Sequence, residues 1–456
     1  MENSRLNRRS FLKTSTLGTL GTMSIPALLG GCSNTASKDD QLKNVSVIEI
    51  MDKAPDGKLL KAGLVGCGSR GTGAACNLLD AGNNLQVIAI GDIFKDKVDA
   101  CHKTLKSKGQ QIADENCFVG FDAYQKVIDS GVDVVLLCTP PVFRHIHFEY
   151  AIQKGKHCFI EKPCAVDPVG AKKMLIVGKQ ATQKDLSVVS GFTRRWRKDC
   201  IETYRRVAGG AIGEIVSAHI LYMRGSIWFR IREKGWDDME YMLRNWVNFR
   251  WLFGDIIVDD LVHFIDMMSW FMGEKRPVRA EADGGRHRNL TGDIYDFFHI
   301  EYLFDNGIRA HCTERIIDGC DNQTAILLYG TKGYVDCEKG TIYNLDGTIA
   351  WQYPYPKPED PDQSMKVPDP FVQEHIHLIT AIRTNKPIND VDKHAQSTLM
   401  AIMGRESAYT GKFITWDQIM ASNLKLGPET YEFGNVPWFK EEILVPGTVS
   451  NRQRSS

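Results

Sequence analysis

Gly66, Gly68 and Gly71 form a Gly-x-Gly-x-x-Gly turn directly behind the apolar stretch "LLKAGLV", and a helical stretch opens near Thr72. No other feature limits the fold as tightly. Glycines at this spacing are common. Here, however, a strand precedes them, a helix follows, and the next strand, "NLQVIAIGD", ends in Asp92. These are the parts of a βαβ unit that cradles a dinucleotide. The glycines allow a sharp turn and let backbone N–H groups of the turn, including Ser69 and Arg70, approach a pyrophosphate at the positive end of the helix. Asp92 is placed to accept hydrogen bonds from the ribose 2′- and 3′-hydroxyls. Its carboxylate repels a 2′-phosphate, so NAD is favoured over NADP, with Lys95 and Lys97 nearby keeping NADP as the second choice.

Short apolar strands continue to alternate with helical stretches. "VDVVLLCTP" and "KHCFIEKP" are further strands of a parallel, doubly wound sheet. At 456 residues the chain exceeds one ordinary core. The expected division is a NAD-binding Rossmann domain over 59–185, a substrate domain over 186–440 and a tail over 441–456. Lys+Arg and Asp+Glu both number 56, so no charge excess points to nucleic acid. Histidines are scattered, with His375 and His377 expected on different helix faces, and no metal site is expected.

Arg8-Arg9 followed by "SFLK" reads as a twin-arginine export signal, and Leu29-Gly30-Gly31-Cys32 as a lipoprotein cleavage box. Residues 1–32 are therefore the expected signal, Cys32 the lipidated new N-terminus, and 33–58 a polar tether. The expected location is the periplasm or cell envelope, with the membrane met only through the lipid. Eleven further cysteines, an odd number, show no disulfide framework, and Cys67 and Cys138 read as small core residues.

Three stretches carry the remaining chemistry. "CTPPVFRH" (138–145) ends a strand where the nicotinamide half of a cofactor would lie, bringing in Thr139, Pro140 and His145. "FIEKP" (159–163) ends the next with Glu161 and Lys162. "GDIIVDDLVHFIDMMSWFMG" (254–273) reads as one helix, with Asp259 and His263 at i, i+4 on one face. With "GFTRRW" (191–196), "GGAIGEI" (209–215) and "GTKGYVD" (330–336), the chain resembles the Gfo/Idh/MocA sugar oxidoreductases from about Lys61 to Asp417.

That resemblance implies a Rossmann domain followed by an α/β domain with an open, mainly antiparallel sheet, and often a homo-oligomer. It also implies roles. Lys162 would hydrogen-bond the reacting hydroxyl and the cofactor region, and His263 would take the hydroxyl proton. Asp259 would orient that imidazole or contact a neighbouring hydroxyl, and Arg194, Arg195 and Trp196 would line the sugar pocket. The chain departs from the family pattern at Leu261, where a glycine is common, and at Asp260, a second carboxylate beside Asp259. The aromatic segment 225–251, leading into Asn245 and Trp246, is read as a substrate loop, with an oligomer contact as its alternative. His263 by itself would read as a core histidine, and Arg194 and Arg195 as surface ion-pair partners.

An exported enzyme has no cytoplasmic NAD pool, so its cofactor would stay bound and return the hydride. The expected function is oxidation of a sugar or glycoside ring hydroxyl, such as C3 of a glucoside. The alternatives are a redox-neutral NAD-dependent glycoside hydrolase and, ranked last, a lipid-anchored sugar-binding protein.

Overall fold

The computed structural model describes residues 45, 47–288 and 291–447. The expected signal and Cys32 lie outside the described residues. Six strands build the first sheet: β1 (Leu60–Val65), β2 (Leu85–Asp92), β3 (Cys117–Val119), β4 (Val134–Leu137), β5 (His157–Ile160) and β6 (Val188–Ser190). They pair in parallel in the order β3-β2-β1-β4-β5-β6. Helices cover both faces, which is why β4 reads Val-Val-Leu-Leu with every residue buried. The strand order reverses between β1 and β4, and a crevice opens outside their carboxyl ends.

The second sheet is built on the opposite plan. It holds β7 (Ile215–Arg224), β8 (Arg279–Gly285), β9 (Phe297–Leu303), β10 (Arg309–Ile316), β11 (Gln323–Gly330), β12 (Gly333–Asp336), β13 (Thr341–Asn344), β14 (Ile349–Gln352) and β15 (Ile414–Thr415). Only β7 and β10 pair in parallel; the other pairings are antiparallel. One face packs against helices 262–271 and 391–410. Burial therefore alternates along β10, with Ala310, Cys312, Glu314 and Ile316 inward.

Several boundaries move from their expected places. β6 lies beyond residue 185, so the Rossmann sheet extends to Ser190. The first helix starts at Ser69 rather than near Thr72, since Thr72 already donates to the Gly68 carbonyl. Residues 47–58 are no free tether. Met51 exchanges hydrogen bonds with Gln373, and the Ala54 N–H reaches the Ala81 carbonyl. Val47, Ile48, Ile50 and Met51 supply the apolar contact that docks them. Of the tail, Ile443 and Leu444 pack on the core, and the Leu444 carbonyl accepts from the Tyr295 hydroxyl at 2.6 Å.

The expected single helix over 254–273 is two, Ile256–Asp259 and Val262–Phe271. The Ile256 carbonyl accepts from Asp260 N–H at 2.7 Å and from Leu261 N–H at 3.2 Å. The second bond spans five residues and inserts an extra residue into the turn. Asp259 and His263 are thereby released from regular i, i+4 alignment, and Asp259 and Asp260 turn to different neighbours.

Candidate active site

At the mouth of β1, Gly66 has φ +96, and a Cβ there would lie 2.7 Å from the Cys138 carbonyl carbon. A Cβ on Gly71 would lie 1.8 Å from the Gly66 oxygen. Gly68, by contrast, faces open space. The turn thus packs tightly against β4 while leaving its backbone bare towards a cavity of about 520 Å³. Gly66, Gly68, Ser69, Arg70, Gly71 and Asp92 line one side, with Thr139 and Pro140 opposite. Asp92 accepts from Cys67 N–H at 2.7 Å and Phe94 N–H at 3.0 Å, which fixes its carboxylate at the cleft wall. Burial raises its pKa, against the pull of those two N–H groups and Lys97. Lys97 lines the cleft, whereas Lys95 is spent on Asp99 at 2.7 Å. These residues fit a dinucleotide: a bare glycine turn, a helix N-terminus and a ribose-directed carboxylate share one cavity.

The expected catalytic group assembles beyond this cavity. Lys162, at the end of β5, donates to the Asp259 carboxylate at 2.9 Å and to its backbone carbonyl at 2.5 Å. Asp260 pairs instead with Arg224 of β7, so Asp259 is the carboxylate that meets Lys162. Burial raises the Asp259 pKa, while Lys162 opposes the rise. The His263 pKa is held well below the usual value by burial first, then by Lys162 and Arg194. Its Nδ1 is buried without a hydrogen-bond partner, and its ring meets Phe192 edge-on at 5.9 Å. No hydrogen bond links it to Asp259 among the described residues. Glu161 receives the Arg70 guanidinium, which also reaches Glu374 at 3.1 Å. Arg144 donates to the Thr139 and Pro163 carbonyls at 2.8 and 2.6 Å, tying the ends of β4 and β5 together.

Residues 60–189 match the model of the oxidoreductase family with an NAD-binding Rossmann fold, and 201–336 match the Gfo/Idh/MocA C-terminal domain. Together they span more than half of the chain. The chain belongs to the Gfo/Idh/MocA oxidoreductases. A myo-inositol 2-dehydrogenase from Thermotoga maritima is 25% identical over 64% of this chain and 72% of its own. The solved levoglucosan dehydrogenase, in complex with NADH and levoglucosan, superposes with a TM-score of 0.61 at 17% identity, covering 78% of this chain and 99% of that one. An aldose-aldose oxidoreductase from Caulobacter crescentus gives 0.59 at 19% identity, covering 79% and 100%.

Not every residue expected at this Gfo/Idh/MocA site is there. His145 points away from the cleft and lies against Gly170 and Asp167. His147 lines the cleft instead, with Nδ1 3.2 Å from the Thr139 hydroxyl and its ring 4.2 Å from Tyr124; burial pushes its pKa down to about 3. The helical period carried the signal, since Phe143 and His147 are i, i+4 and both line the cleft. Arg195 is a buried structural cation, bidentate to Asp266 at 2.7 and 2.9 Å. Trp196 is core, its ring 4.6 Å from His377. Of that trio only Arg194 stays near His263, held by Glu338 and stacked 4.4 Å over Phe264.

Asn245 is fully buried and accepts the Arg230 N–H at 2.6 Å, so it shapes a loop rather than facing a ligand. The 225–251 segment, expected to hold substrate, supplies Trp228, Arg230, Leu243, Arg244 and Trp246 to the cofactor cleft. Cys138, expected in the core, lines the same cleft.

Proposed function

We propose that this oxidoreductase removes hydride from a ring hydroxyl of a sugar or glycoside and retains its NAD between turnovers. The pairing of Lys162 with Asp259 beside a neutral His263, at the strand ends next to the cofactor cleft, carries the reading. Bound NAD supplies the hydride acceptor. Lys162 donates a hydrogen bond to the reacting oxygen and stabilises the negative charge that grows there. His263 takes the hydroxyl proton; its neighbouring cations and burial keep the imidazole neutral and able to accept. Asp259 holds the lysine on station, and Arg144 braces the two loops that present it.

Retention is supported by the cleft's roof. Arg244 stacks 3.9 Å over Phe94 and pairs with Asp96 at 3.0 Å, so the second domain clasps the edge of the first beside Asp92. Sugar-like substrates are named for the relatives and neighbours: myo-inositol, levoglucosan and aldoses. Export in the folded state as a Cys32-linked lipoprotein belongs to the same proposal and rests on the N-terminal sequence.

The test is the protein purified without added NAD and mixed with a glycoside panel, with bound-nicotinamide absorbance and aglycone release read together. A lasting, stoichiometric rise in reduced nicotinamide without cleavage is expected. Catalytic aglycone release with no lasting reduction would assign the hydrolase, and the oxidoreductase proposal would fall.

A further inference from the structure

A second cavity, of about 860 Å³, lies beside the cofactor cleft, and Arg230 lines both. Its wall carries Arg230, Arg232, Arg286 and Arg288 against one carboxylate, Glu441. The pairing of Arg230 and Arg288 is incomplete. Arg288 gives Nε to Asp296, yet both its terminal nitrogens are buried without a hydrogen-bond partner and the side chain is only 9% exposed. Arg286 donates to the Arg288 and Thr291 carbonyls at 3.0 and 3.1 Å and to the Gly292 carbonyl. Its pKa is lowered by burial above all, with Asp296 pulling up and Arg288 pushing down. Arg230 makes no ion pair among the described residues; its guanidinium lies 5.8 Å over Trp228. Arg232 pairs with Asp238 at 2.7 Å.

Buried guanidinium donors left unmet are costly, and a bidentate anion satisfies two of them at once. The same wall carries apolar flats. Phe229 is 47% exposed and Ile231 81% exposed, beside Tyr241. Such faces suit the C–H side of a pyranose ring. We infer that this cavity is a subsite for an acidic saccharide, its carboxylate or sulfate held by Arg230 and Arg288 and its ring laid against Phe229. The inference deepens the sugar-oxidoreductase reading and rests on it for the link to the hydride site.

Titration calorimetry on the cofactor-loaded protein tests it. The probes are methyl glucuronide, methyl galacturonide and methyl glucoside 6-sulfate beside methyl glucoside and methyl galactoside. At least one acidic probe should bind about tenfold or more tightly than its neutral parent, and R230Q and R288Q should each remove that preference. R230Q is the safer variant, since the Arg230 side chain makes no ion pair among the described residues. The uronide and sulfate arms show which anion is read. Equal binding of acidic and neutral probes, no binding by any acidic probe, or a preference that survives both substitutions overturns the inference. Acid-selective binding with no nicotinamide reduction would leave the subsite standing and sink the redox proposal. Oxidation of neutral sugars without acid preference would do the reverse.

Discussion

In the six-stranded sheet, a residue's role follows from where its strand stops; in the nine-stranded sheet, from which face it occupies. Gly66, Asp92, Thr139 and Lys162 all stand at the carboxyl ends of β1, β2, β4 and β5, and the first three line the cleft. Among the described residues, the second sheet contributes no strand end to that cleft. Its chemistry comes from segments laid against it: the broken helix with Asp259 and His263, and the 225–251 loop. It also hides polar groups within its packed face. Glu314 on β10 is fully buried, and neither carboxylate oxygen has a partner. The first sheet exposes its functional groups by ending, while the second confines its polar groups by alternating.

Substitutions can sharpen or break this contrast. The largest effect belongs to a strand end: K162M should slow nicotinamide reduction by about 10²–10³-fold with NAD content near wild type, since one preorganised donor is lost. It should also lower stability, since Asp259 is left buried without its partner. Lower stability with an unchanged rate of reduction would mean that Lys162 serves the fold alone. Next comes the buried cation: R195M should destabilise by about 3–5 kcal/mol, because Asp266 is left buried and unpaired. R194M, beside the site and only partly buried, should cost less than about 1 kcal/mol and act on kinetics. Chemical denaturation of both variants checks the order.

H263N should cost about 10²-fold in rate. In the wild-type pH profile the acidic limb should fall well below pH 6.5, since the depressed His263 pKa keeps the base neutral down to lower pH. A limb at or above 6.5 counts against His263 as the base. The smallest effect is E314Q. Burial raises the Glu314 pKa well above normal, with the like charge of Asp260 adding and Arg224 opposing. The native state therefore holds a proton that the unfolded chain releases above about pH 4.3. Stability from this group is intact below that value and declines as pH rises towards the raised native pKa. E314Q should flatten the decline in Tm from about pH 5 upwards, with little change below pH 4. An unaltered slope would mean that Glu314 does not titrate.

The first sheet and the residues at its strand ends that line the cleft were legible because the information is local. A glycine turn, an acid at the next strand end and Glu-Lys-Pro after another lie within short stretches whose geometry backbone rules fix. His145 failed for want of one step of helical phase. Arg195 and Trp196 failed because partners decide burial, and Asp266 and His377 are distant in sequence. The break at Asp260–Leu261 was foreshadowed by Leu261 and the doubled aspartate. Which carboxylate would meet Lys162, however, depended on Arg224 capturing the other. The 225–251 segment stood out as aromatic, but composition could not say which cavity it would wall.

The contact between Arg70 and Glu374 joins residues 304 positions apart. Glu374 belongs to the helix Pro370–Arg383, which packs on the first helix of the Rossmann domain and against which residues 47–58 dock. A ribosome has therefore made more than four-fifths of the chain before the glycine turn gains its second acidic brace. The βαβ unit can begin to collapse early, but the cleft reaches its finished form only near the end of synthesis. A nascent chain that stalls before residue 374 has Glu161 on Arg70 but lacks the second brace.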